Sequence, residues 1–202
     1  QIEADDQTLS AVRKQYGLPE RYILYVGRLN IRKNLKRLIE AFSGLEDESL
    51  GLVLVGAKDW KMEDLSPVLN DARVRKRVHF LGYVPDDDLP SVFHAATVFA
   101  YIPFVEGFGF PTLEAMSFGV PVVTSNTSSL AEVAGDAAIT VNPHDTEAVR
   151  EALARFVSSP DLRAEYAKRG RERASEFTWE ACAQKTLHAI LDCASSKQPK
   201  PN

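Results

Sequence analysis

The sequence has few cysteines and no long apolar run. Its 202 residues include two cysteines, Cys182 and Cys193, eleven positions apart in one predicted helix. That spacing places them about 16 Å apart along the helix axis, which excludes a disulfide between them. We expect both to be small buried hydrophobic residues in a reducing compartment. No apolar stretch approaches the roughly 20 residues of a membrane span, and residues 1–6 lack the charged and apolar regions of a signal peptide.

The sequence also lacks a strong excess of charge and several catalytic signatures. Its net charge is −4, with both signs interspersed, which argues against a nucleic-acid-binding surface or a polybasic membrane anchor. There is no G-x-S-x-G elbow, no Walker lysine motif, and no G-x-G-x-x-G after the first predicted strand. Four histidines have no metal-ligand spacing to one another or to the cysteines, so we expect structural roles for His79, His94, His144 and His188.

Short apolar runs alternate with helical patterns along most of the chain. Strands are predicted at 22–27, 50–56, 77–82, 98–102, 120–124 and 137–141. Helices are predicted at 8–16, 35–44, 63–75 with a break or kink at Pro67, 86–96, 110–119, 128–135, 145–157, 160–174 and 179–194. We expect Ser128 or Ser129 to cap the helix at 128–135, and Thr178 to cap the last one. The alternation predicts an α/β fold, a doubly wound, Rossmann-like, parallel six-stranded sheet with helices on both faces.

The most informative stretch is E-G-F-G-F-P-T-L-E, from Glu106 to Glu114, directly after the fourth predicted strand. Pro111 suits the first turn of a helix, so Glu106 should lie in a loop and Glu114 in the helix, with the carboxylates about 10 Å apart. Gly107 and Gly109 leave backbone N–H groups bare, and the helix N-terminus adds about half a positive charge. The stretch can therefore hold a phosphorylated ligand rich in hydroxyl groups. Any strand–loop–helix connection can carry two glycines and two acidic residues, so a purely structural role stays open.

A second candidate is the loop G-R-L-N-I-R-K-N after the first predicted strand, at residues 27–34. Arg28 offers a planar fork of donors and Lys33 a point charge, a pair suited to a diphosphate. In the common strand order 3-2-1-4-5-6, this loop should face the Glu106 loop across the point where the strand order reverses. Taken alone, the two cations are better explained as solvated surface charges, and it is their expected position that favours the diphosphate. The loop at 82–85 offers backbone groups for a flat base, or is simply a turn.

Four motifs, in this order, resemble the family-four retaining glycosyltransferases of GT-B fold. They are G-R-L-x-x-x-K-N at 27–34, F-L-G-Y-V at 80–84, E-G-F-G-F-P-T-L-E-A at 106–115 and G-V-P-V-V at 119–123. The resemblance covers about residues 20–194. It implies that the chain is the C-terminal, donor-binding half of a GT-B enzyme and that the N-terminal acceptor domain is missing from it. The corresponding division is a lead-in helix or linker at 1–20, a Rossmann-like donor-binding domain at 21–194 and a polar tail at 195–202.

The resemblance also implies roles for individual residues. Glu106 would contact the transferred sugar, and Arg28 and Lys33 would hold the donor diphosphate, which makes these three the expected catalytic set. Glu114 would bind the ribose hydroxyls. The other expected donor-binding residues are Gly27, Tyr83, Val84, Gly107, Phe108, Gly109, Phe110, Thr112 and Leu113, with the backbone of Tyr83 and Val84 meeting the base. Pro111 removes an amide that members with another residue there offer to the phosphate, so Gly109, Phe110 and the Thr112 hydroxyl are expected to replace it.

The function implied is metal-independent, retaining transfer of a hexose from a nucleoside-diphosphate sugar to a saccharide or lipid-linked acceptor. No cofactor and no metal is expected, because Arg28 and Lys33 would take the place of a metal ion, and residues 86–88 better suit a helix start than an Asp-x-Asp metal motif. The expected partners are the nucleotide-sugar donor and the N-terminal acceptor domain, with no nucleic acid. The expected location is cytoplasmic, and peripheral association with the inner face of the membrane through the missing domain stays open. Two alternatives remain, a GT-B sugar-nucleotide epimerase and a non-catalytic nucleotide-sugar-binding module.

Overall fold

The structure, a computed structural model, describes residues 6–59 and 64–196. Parts of the predicted lead-in (1–5), of the predicted third helix (Glu63) and of the polar tail (197–202) lie outside the described residues. The strands are β1 Tyr22–Val26, β2 Gly51–Val55, β3 Val78–Gly82, β4 Val98–Tyr101, β5 Val122–Ser125 and β6 Ile139–Val141. The helices are α1 Asp6–Tyr16, α2 Leu35–Ser43, α3 Ser66–Leu69, α4 Ala72–Arg77, α5 Leu89–His94, α6 Phe110–Ser117, α7 Ser128–Ala134, α8 Thr146–Ser158, α9 Pro160–Ser175 and α10 Trp179–Ser196. A 3₁₀ turn, Ile31–Lys33, lies between β1 and α2.

The six strands form one sheet in the order β3-β2-β1-β4-β5-β6, with every neighbouring pair parallel. The predicted strand order and the Rossmann-like α/β fold are therefore confirmed. The order reverses between β1 and β4, where Ile23 pairs with Val98 and Leu24 with Phe99. Because all strands run the same way, the loops that follow β1 and β4 leave the same edge of the sheet side by side.

Apolar side chains explain why these segments form a layered fold. The β1 residues 22–25 and all of β2 are buried, as expected for parallel strands covered by helices on both faces. In α2, the buried side chains recur at helical spacing, at Leu35, Leu38, Ile39 and Phe42. Helices cover the sheet in packed groups, α2 against α8 and α6 against α9. The resulting core fixes the strand ends from which the loops extend.

Two helix starts differ from the prediction. The predicted third helix is two short helices, because the Asp71 carboxylate accepts a hydrogen bond from the Arg73 N–H at 2.8 Å and begins α4 as a new helix. The residue that precedes α7 is Thr127, so the expectation that Ser128 or Ser129 caps this helix is wrong. Both serine hydroxyls instead make hydrogen bonds with the loop that follows β4. At α10 the prediction is confirmed, since the Ala181 N–H donates to the Thr178 hydroxyl at 3.0 Å.

The last helix, α10, lies outside the packed layers. Cys182 and Cys193 are exposed on it, so the prediction that they are buried is wrong. The described residues leave this helix uncovered, with Trp179 79% and Ile190 59% exposed. Among the described helices, none combines the length and the apolar character that crossing a bilayer requires.

Asn34 connects the ends of three strands. It has a left-handed backbone conformation (φ 60°) after the 3₁₀ turn, and its side chain is buried. The side-chain amide donates to the Ile102 carbonyl beyond β4 at 3.1 Å and to the Pro143 carbonyl beyond β6 at 2.7 Å. Asparagine tolerates this conformation better than most residues do, and its amide supplies two donors to carbonyls that are buried. The loop after β1 is thereby held at the sheet edge.

Replacing Asn34 with glycine should therefore destabilise the fold. Glycine keeps the left-handed backbone but removes the Asn34 donor to the Ile102 carbonyl and leaves the Pro143 carbonyl with the Arg37 guanidinium, which donates to it at 3.0 Å. We therefore expect the free energy of unfolding to fall by about 2–3 kcal/mol. The measurement is urea denaturation. The matched control is Asn70→Gly at the exposed end of α3, where roughly 0.5–1 kcal/mol is expected from glycine flexibility alone. Equal losses in the two variants would contradict the bridging role of Asn34.

Candidate functional site

The loops after β1 and β4 meet at the carboxyl edge of the sheet. The 3₁₀ turn in the first loop is capped by Asn30, whose side-chain oxygen accepts from the Arg32 N–H at 3.1 Å. The Phe104 N–H of the second loop donates to the Arg32 carbonyl at 3.0 Å. This backbone bond links the two loops directly across the point where the strand order reverses. The two candidate segments are therefore neighbours, as the sequence predicted.

Lys33 and Glu106 form an ion pair across this junction. The Lys33 Nζ lies 2.5 Å from Glu106 Oε2, and the two side chains are only 16% and 21% exposed. The Tyr101 hydroxyl contacts both groups, at 2.5 Å from the Lys33 Nζ and 2.7 Å from the same Glu106 oxygen. A charge-assisted hydrogen bond in such a partly buried place is stronger than one at an open surface. The three polar groups form a compact cluster at the carboxyl edge of the sheet.

The surroundings of Glu106 keep its carboxyl group ionised. Burial raises the pKa of Glu106, but hydrogen bonds from Lys33 and Tyr101, the Lys33 charge and the Gly107 backbone outweigh burial, so the pKa lies below its ordinary value. The pKa of Tyr101 is raised, mainly by burial and then by its hydrogen bond to Glu106. At neutral pH Glu106 is therefore a carboxylate, and Tyr101 is a protonated phenol that donates to it.

Hydroxyl side chains at the end of β5 and the start of α7 support the loop that carries Glu106. The Ser125 hydroxyl donates to the Pro103 carbonyl at 2.7 Å, the Thr127 hydroxyl to Phe104 at 3.3 Å, and the Ser129 hydroxyl to Glu106 at 2.9 Å and Phe108 at 3.1 Å. The Ser128 hydroxyl accepts from the Glu106 N–H at 3.2 Å. The backbone of residues 103–108 is thus fixed by side chains from the neighbouring strand connection, which places the Glu106 carboxylate toward Lys33.

The start of α6 leaves backbone donors open beside this cluster. Gly109 precedes the helix with φ 102°, and a Cβ there would lie 2.4 Å from the Leu130 Cδ2 atom, so only glycine fits. The N–H groups of Phe108, Gly109 and Phe110 have no hydrogen-bond acceptor among the described residues. Open N–H groups at a helix N-terminus attract anions. The structure therefore leaves these donors open at the start of α6, and anion binding there stays a prediction.

The other predicted residues of the E-G-F-G motif differ in their exposure. Gly107 is exposed, and Leu113 packs partly against the core. Thr112 is fully buried, and its hydroxyl has no hydrogen-bond partner among the described residues. The structure does not present this hydroxyl to solvent, so its direct contact with a phosphate stays a prediction that requires a change around the first turn of α6. Glu114 lies on the exposed side of α6; partial desolvation, and then repulsion from Asp86, raise its pKa above the ordinary value.

The residues predicted in the other two loops also lie at this sheet edge. Arg28 is exposed, and its guanidinium makes no ion pair or hydrogen bond with the described residues. Gly27 follows β1 and its N–H donates to the Val55 carbonyl at 3.0 Å. After β3, Tyr83 is 73% exposed, whereas the Val84 side chain is buried. A ligand can therefore reach the Tyr83 ring and the backbone beside it.

Sequence reasoning missed Tyr101 and misassigned the serines of α7. Tyr101 lies inside an apolar run that predicts only a buried strand. A signal was available, because a buried tyrosine hydroxyl usually requires a polar partner and Glu106 follows five residues later. Ser128 and Ser129 were recognised as hydrogen-bonding residues, but the sequence does not show that a loop more than 20 residues earlier lies within their reach.

The site combines complementary groups within one sheet edge. Lys33 and Arg28 supply positive charge, the start of α6 supplies open N–H donors, and Glu106 and Glu114 supply carboxylates that accept from hydroxyl groups. Such a combination can bind an anion that is flanked by polyhydroxylated groups.

Comparisons with known proteins identify the family of this chain. The family model described as glycosyl transferases group 1 matches residues 10–173. O-antigen chain mannosyltransferase B of Escherichia coli is 39% identical over 171 residues, which cover 83% of this chain and 45% of that protein. The solved structure of sucrose-phosphate synthase from Thermosynechococcus elongatus is 29% identical and superposes with a TM-score of 0.77, over 92% of this chain and 49% of that one. The chain therefore spans less than half the length of these relatives.

A third comparison concerns the fold alone. The C-terminal domain of a glycosyl transferase group 1 family protein from Francisella tularensis superposes with a TM-score of 0.73 at 23% identity, over 86% of this chain and 92% of that domain. The chain thus shares the fold of that C-terminal domain, as expected for one half of a GT-B fold. From the family match over residues 10–173 and the similarity to the Escherichia coli protein, we conclude that this chain belongs to the glycosyl transferases group 1 family.

Proposed function

We propose that this chain is the donor-binding half of a retaining glycosyltransferase and that it binds a nucleoside-diphosphate hexose at the junction of the β1 and β4 loops. The observation that carries the proposal is the Lys33–Glu106 ion pair beside the open start of α6. This pair brings a cation for the diphosphate and a carboxylate for the sugar to one place in a chain of this family. Arg28, exposed on the same loop as Lys33, would supply the second cation.

The donor would extend along the sheet edge in a defined direction. The diphosphate would contact the Lys33 ammonium, the Arg28 guanidinium and the open N–H groups before α6. Glu114 would accept hydrogen bonds from the ribose hydroxyls, and the backbone beside Tyr83 would meet the base. Glu106, on the other side of the diphosphate, would accept from a hydroxyl group of the transferred hexose. The known function of the family supports this order of contacts.

The chemistry follows from where negative charge develops. Transfer breaks the bond between the anomeric carbon and the diphosphate oxygen and forms a bond from the anomeric carbon to the oxygen of an acceptor hydroxyl group, whose proton passes to the leaving diphosphate or to solvent. The leaving nucleoside diphosphate gains negative charge while the sugar becomes cationic, so fixed cations and helix-dipole N–H groups at the diphosphate lower the barrier. We propose that Arg28 and Lys33 serve in place of a metal ion and that the anomeric configuration is retained.

A mannosyl donor is the first candidate for the transferred hexose. It is supported by the 39% identity to a protein named as an O-antigen chain mannosyltransferase. We therefore propose GDP-mannose as the first donor to test, with UDP-sugars as the comparison, and a growing saccharide or lipid-linked saccharide as the acceptor. A cytoplasmic location, with peripheral association at the inner face of the membrane, belongs to the same proposal.

The exposed face of α10 supports a second domain as the partner of this one. Trp179, Leu187 and Ile190 are 79%, 57% and 59% exposed, and their spacing places them on one side of the helix. An uncovered apolar stripe of this kind is typical of an interface. We propose that it packs against an acceptor-binding domain, which would also close the donor site from water.

Removing both candidate diphosphate cations should abolish nucleotide binding. Arg28→Ala with Lys33→Ala removes two charge-assisted contacts, each worth about 1.5–3 kcal/mol, so affinity for GDP or UDP should fall far more than tenfold. Isothermal titration calorimetry measures the affinity. The control is Lys76→Ala with Arg155→Ala, which removes the same two residue types from exposed positions on α4 and α8. Unchanged affinity in the Arg28 and Lys33 variant would refute the diphosphate assignment.

The two glutamates should separate nucleotide binding from transfer. Glu114→Gln should weaken binding of the nucleoside diphosphate, because a neutral amide accepts more weakly from the ribose hydroxyls. Glu106→Gln should leave that affinity unchanged or higher, because it releases Lys33 from its ion pair, but it should lower the rate of sugar transfer. Calorimetry with GDP or UDP and an assay of transfer by the two-domain protein test the two effects. The opposite pattern would mean that the donor lies in the reverse direction.

The chain of 202 residues should bind the nucleotide but transfer no sugar by itself. The groups assigned to the donor lie on one sheet edge of the described residues, and the acceptor site is proposed on the other domain. The assay compares this chain with the two-domain protein, using GDP-mannose or UDP-glucose and saccharide or lipid-linked acceptors. Multiple turnovers to an acceptor by the chain alone would show that the second domain is dispensable. Binding without transfer by the two-domain protein would favour a non-catalytic module, and conversion of the sugar without an acceptor would favour an epimerase.

A further inference from the structure

Tyr101 holds a different kind of position from the other groups of the Lys33–Glu106 cluster. It is 1% exposed on β4, one of the two central strands of the sheet. Its ring packs against the rings of Tyr25 and Phe99, at centroid distances of 5.7 and 6.2 Å, and its carbonyl accepts from the Thr124 hydroxyl at 2.7 Å. Its hydroxyl therefore has a fixed place, set by the sheet itself.

Lys33 and Tyr101 differ in how firmly their donor groups are held near Glu106. It projects a long, flexible side chain from the end of the 3₁₀ turn, and its ammonium group contacts both the Tyr101 hydroxyl and Glu106 Oε2 at 2.5 Å. One carboxylate oxygen is thus held by a rigid neutral donor and by a movable charged one. In the proposed function the movable donor is also a ligand of the diphosphate, so donor binding draws Lys33 away from Glu106 or divides its hydrogen bonds between the two anions.

Glu106 then needs a partner that does not move. A carboxylate that is about four-fifths buried and loses its cation pays a desolvation cost and tends to take up a proton or change its rotamer. The hydrogen bond from Tyr101 opposes both changes, because the phenol stays protonated and its position is fixed by the core. It requires no diphosphate and does not compete with one.

We propose that Tyr101 is a positioning residue, whose hydroxyl keeps the Glu106 carboxylate ionised and directed at the sugar while the Lys33 ammonium binds the donor diphosphate. The proposal rests on the proposed function, since it requires a donor at this site. Tyr101 lies outside the four family motifs. The proposal gives different roles to the two groups that donate to Glu106, the Tyr101 hydroxyl and the Lys33 ammonium group.

The test compares two buried tyrosine hydroxyls. Tyr101→Phe removes the donor to Glu106, and Tyr22→Phe is the matched control, since Tyr22 is also fully buried and donates to the Val92 carbonyl at 2.6 Å, remote from the cluster. Thermal unfolding of both variants verifies that they fold. Carbon-13 NMR of the carboxyl groups, with the Glu106 signal identified by its absence in Glu106→Gln, reports the pKa of Glu106 with and without GDP.

We expect the pKa of Glu106 to rise in Tyr101→Phe, because the variant lacks a donor that stabilises the ionised form, and to rise more with GDP bound. The ionisable and charged groups around the cluster, Lys33 and Arg32 from the 3₁₀ turn and Tyr25 from β1, are unchanged in both variants. The affinity of Tyr101→Phe for GDP should stay within about twofold of the unmodified chain. Its rate of sugar transfer in the two-domain protein should fall about tenfold, and the acidic limb of the pH–rate profile should move to higher pH. Tyr22→Phe should change none of these values.

The outcomes distinguish a failure of the role of Tyr101 from a failure of the proposed function. A pKa of Glu106 that is the same in Tyr101→Phe and Tyr22→Phe, in a chain that binds GDP normally, overturns the role of Tyr101 alone. A loss of GDP affinity as large as that caused by Lys33→Ala also overturns it, since Tyr101 would then act on Lys33. If the unmodified chain binds neither GDP nor UDP, the proposed function fails and this proposal fails with it.

Discussion

The central physical constraint in this structure is the compensation of charge at a partly buried sheet edge. A carboxylate and an ammonium group meet where the loops after β1 and β4 converge, and each would be costly to bury alone. The neighbouring elements hold these two groups in contact. The 3₁₀ turn directs Lys33 inward, the β5–α7 connection fixes the backbone of Glu106, and the sheet fixes Tyr101. The pair is therefore a product of several elements that are distant in sequence.

Strand order and loop placement could be predicted because they follow from rules of chain geometry. Apolar runs that end in glycine, separated by helical patterns, leave few alternatives to a doubly wound parallel sheet. That fold in turn brings the segments that contain Arg28, Lys33 and Glu106 to one edge. The sequence could therefore indicate which loops face each other before any distance was known. The family motifs added roles, but the juxtaposition itself required only the βαβ pattern.

The details that escaped prediction depend on contacts between distant segments. The sequence around Ser128 indicates a helix start, but whether its hydroxyl caps that helix or binds another loop depends on where residues 103–108 lie. Cys182 lies in an apolar pattern typical of a buried face, yet burial requires a neighbour that the described residues do not provide. For Tyr101, too, the sequence predicts the strand that contains it but not the hydrogen bonds of its hydroxyl group. Local sequence propensity predicts whether a segment is a helix or a strand. Its hydrogen-bond and packing partners depend on which distant segments the fold brings close to it.

The hydroxyl groups of Ser125, Thr127 and Ser129 have a thermodynamic consequence for the loop they support. Four carbonyls of residues 103–108 are occupied by these side chains in the ligand-free protein, so the loop loses its conformational freedom when the chain folds. A ligand that arrives later meets a preorganised backbone and does not have to order it. In the proposed function, its binding free energy then remains available for distinguishing one pattern of sugar hydroxyl groups from another. The selectivity of the proposed site is in this sense supported by three small side chains that need not touch the ligand.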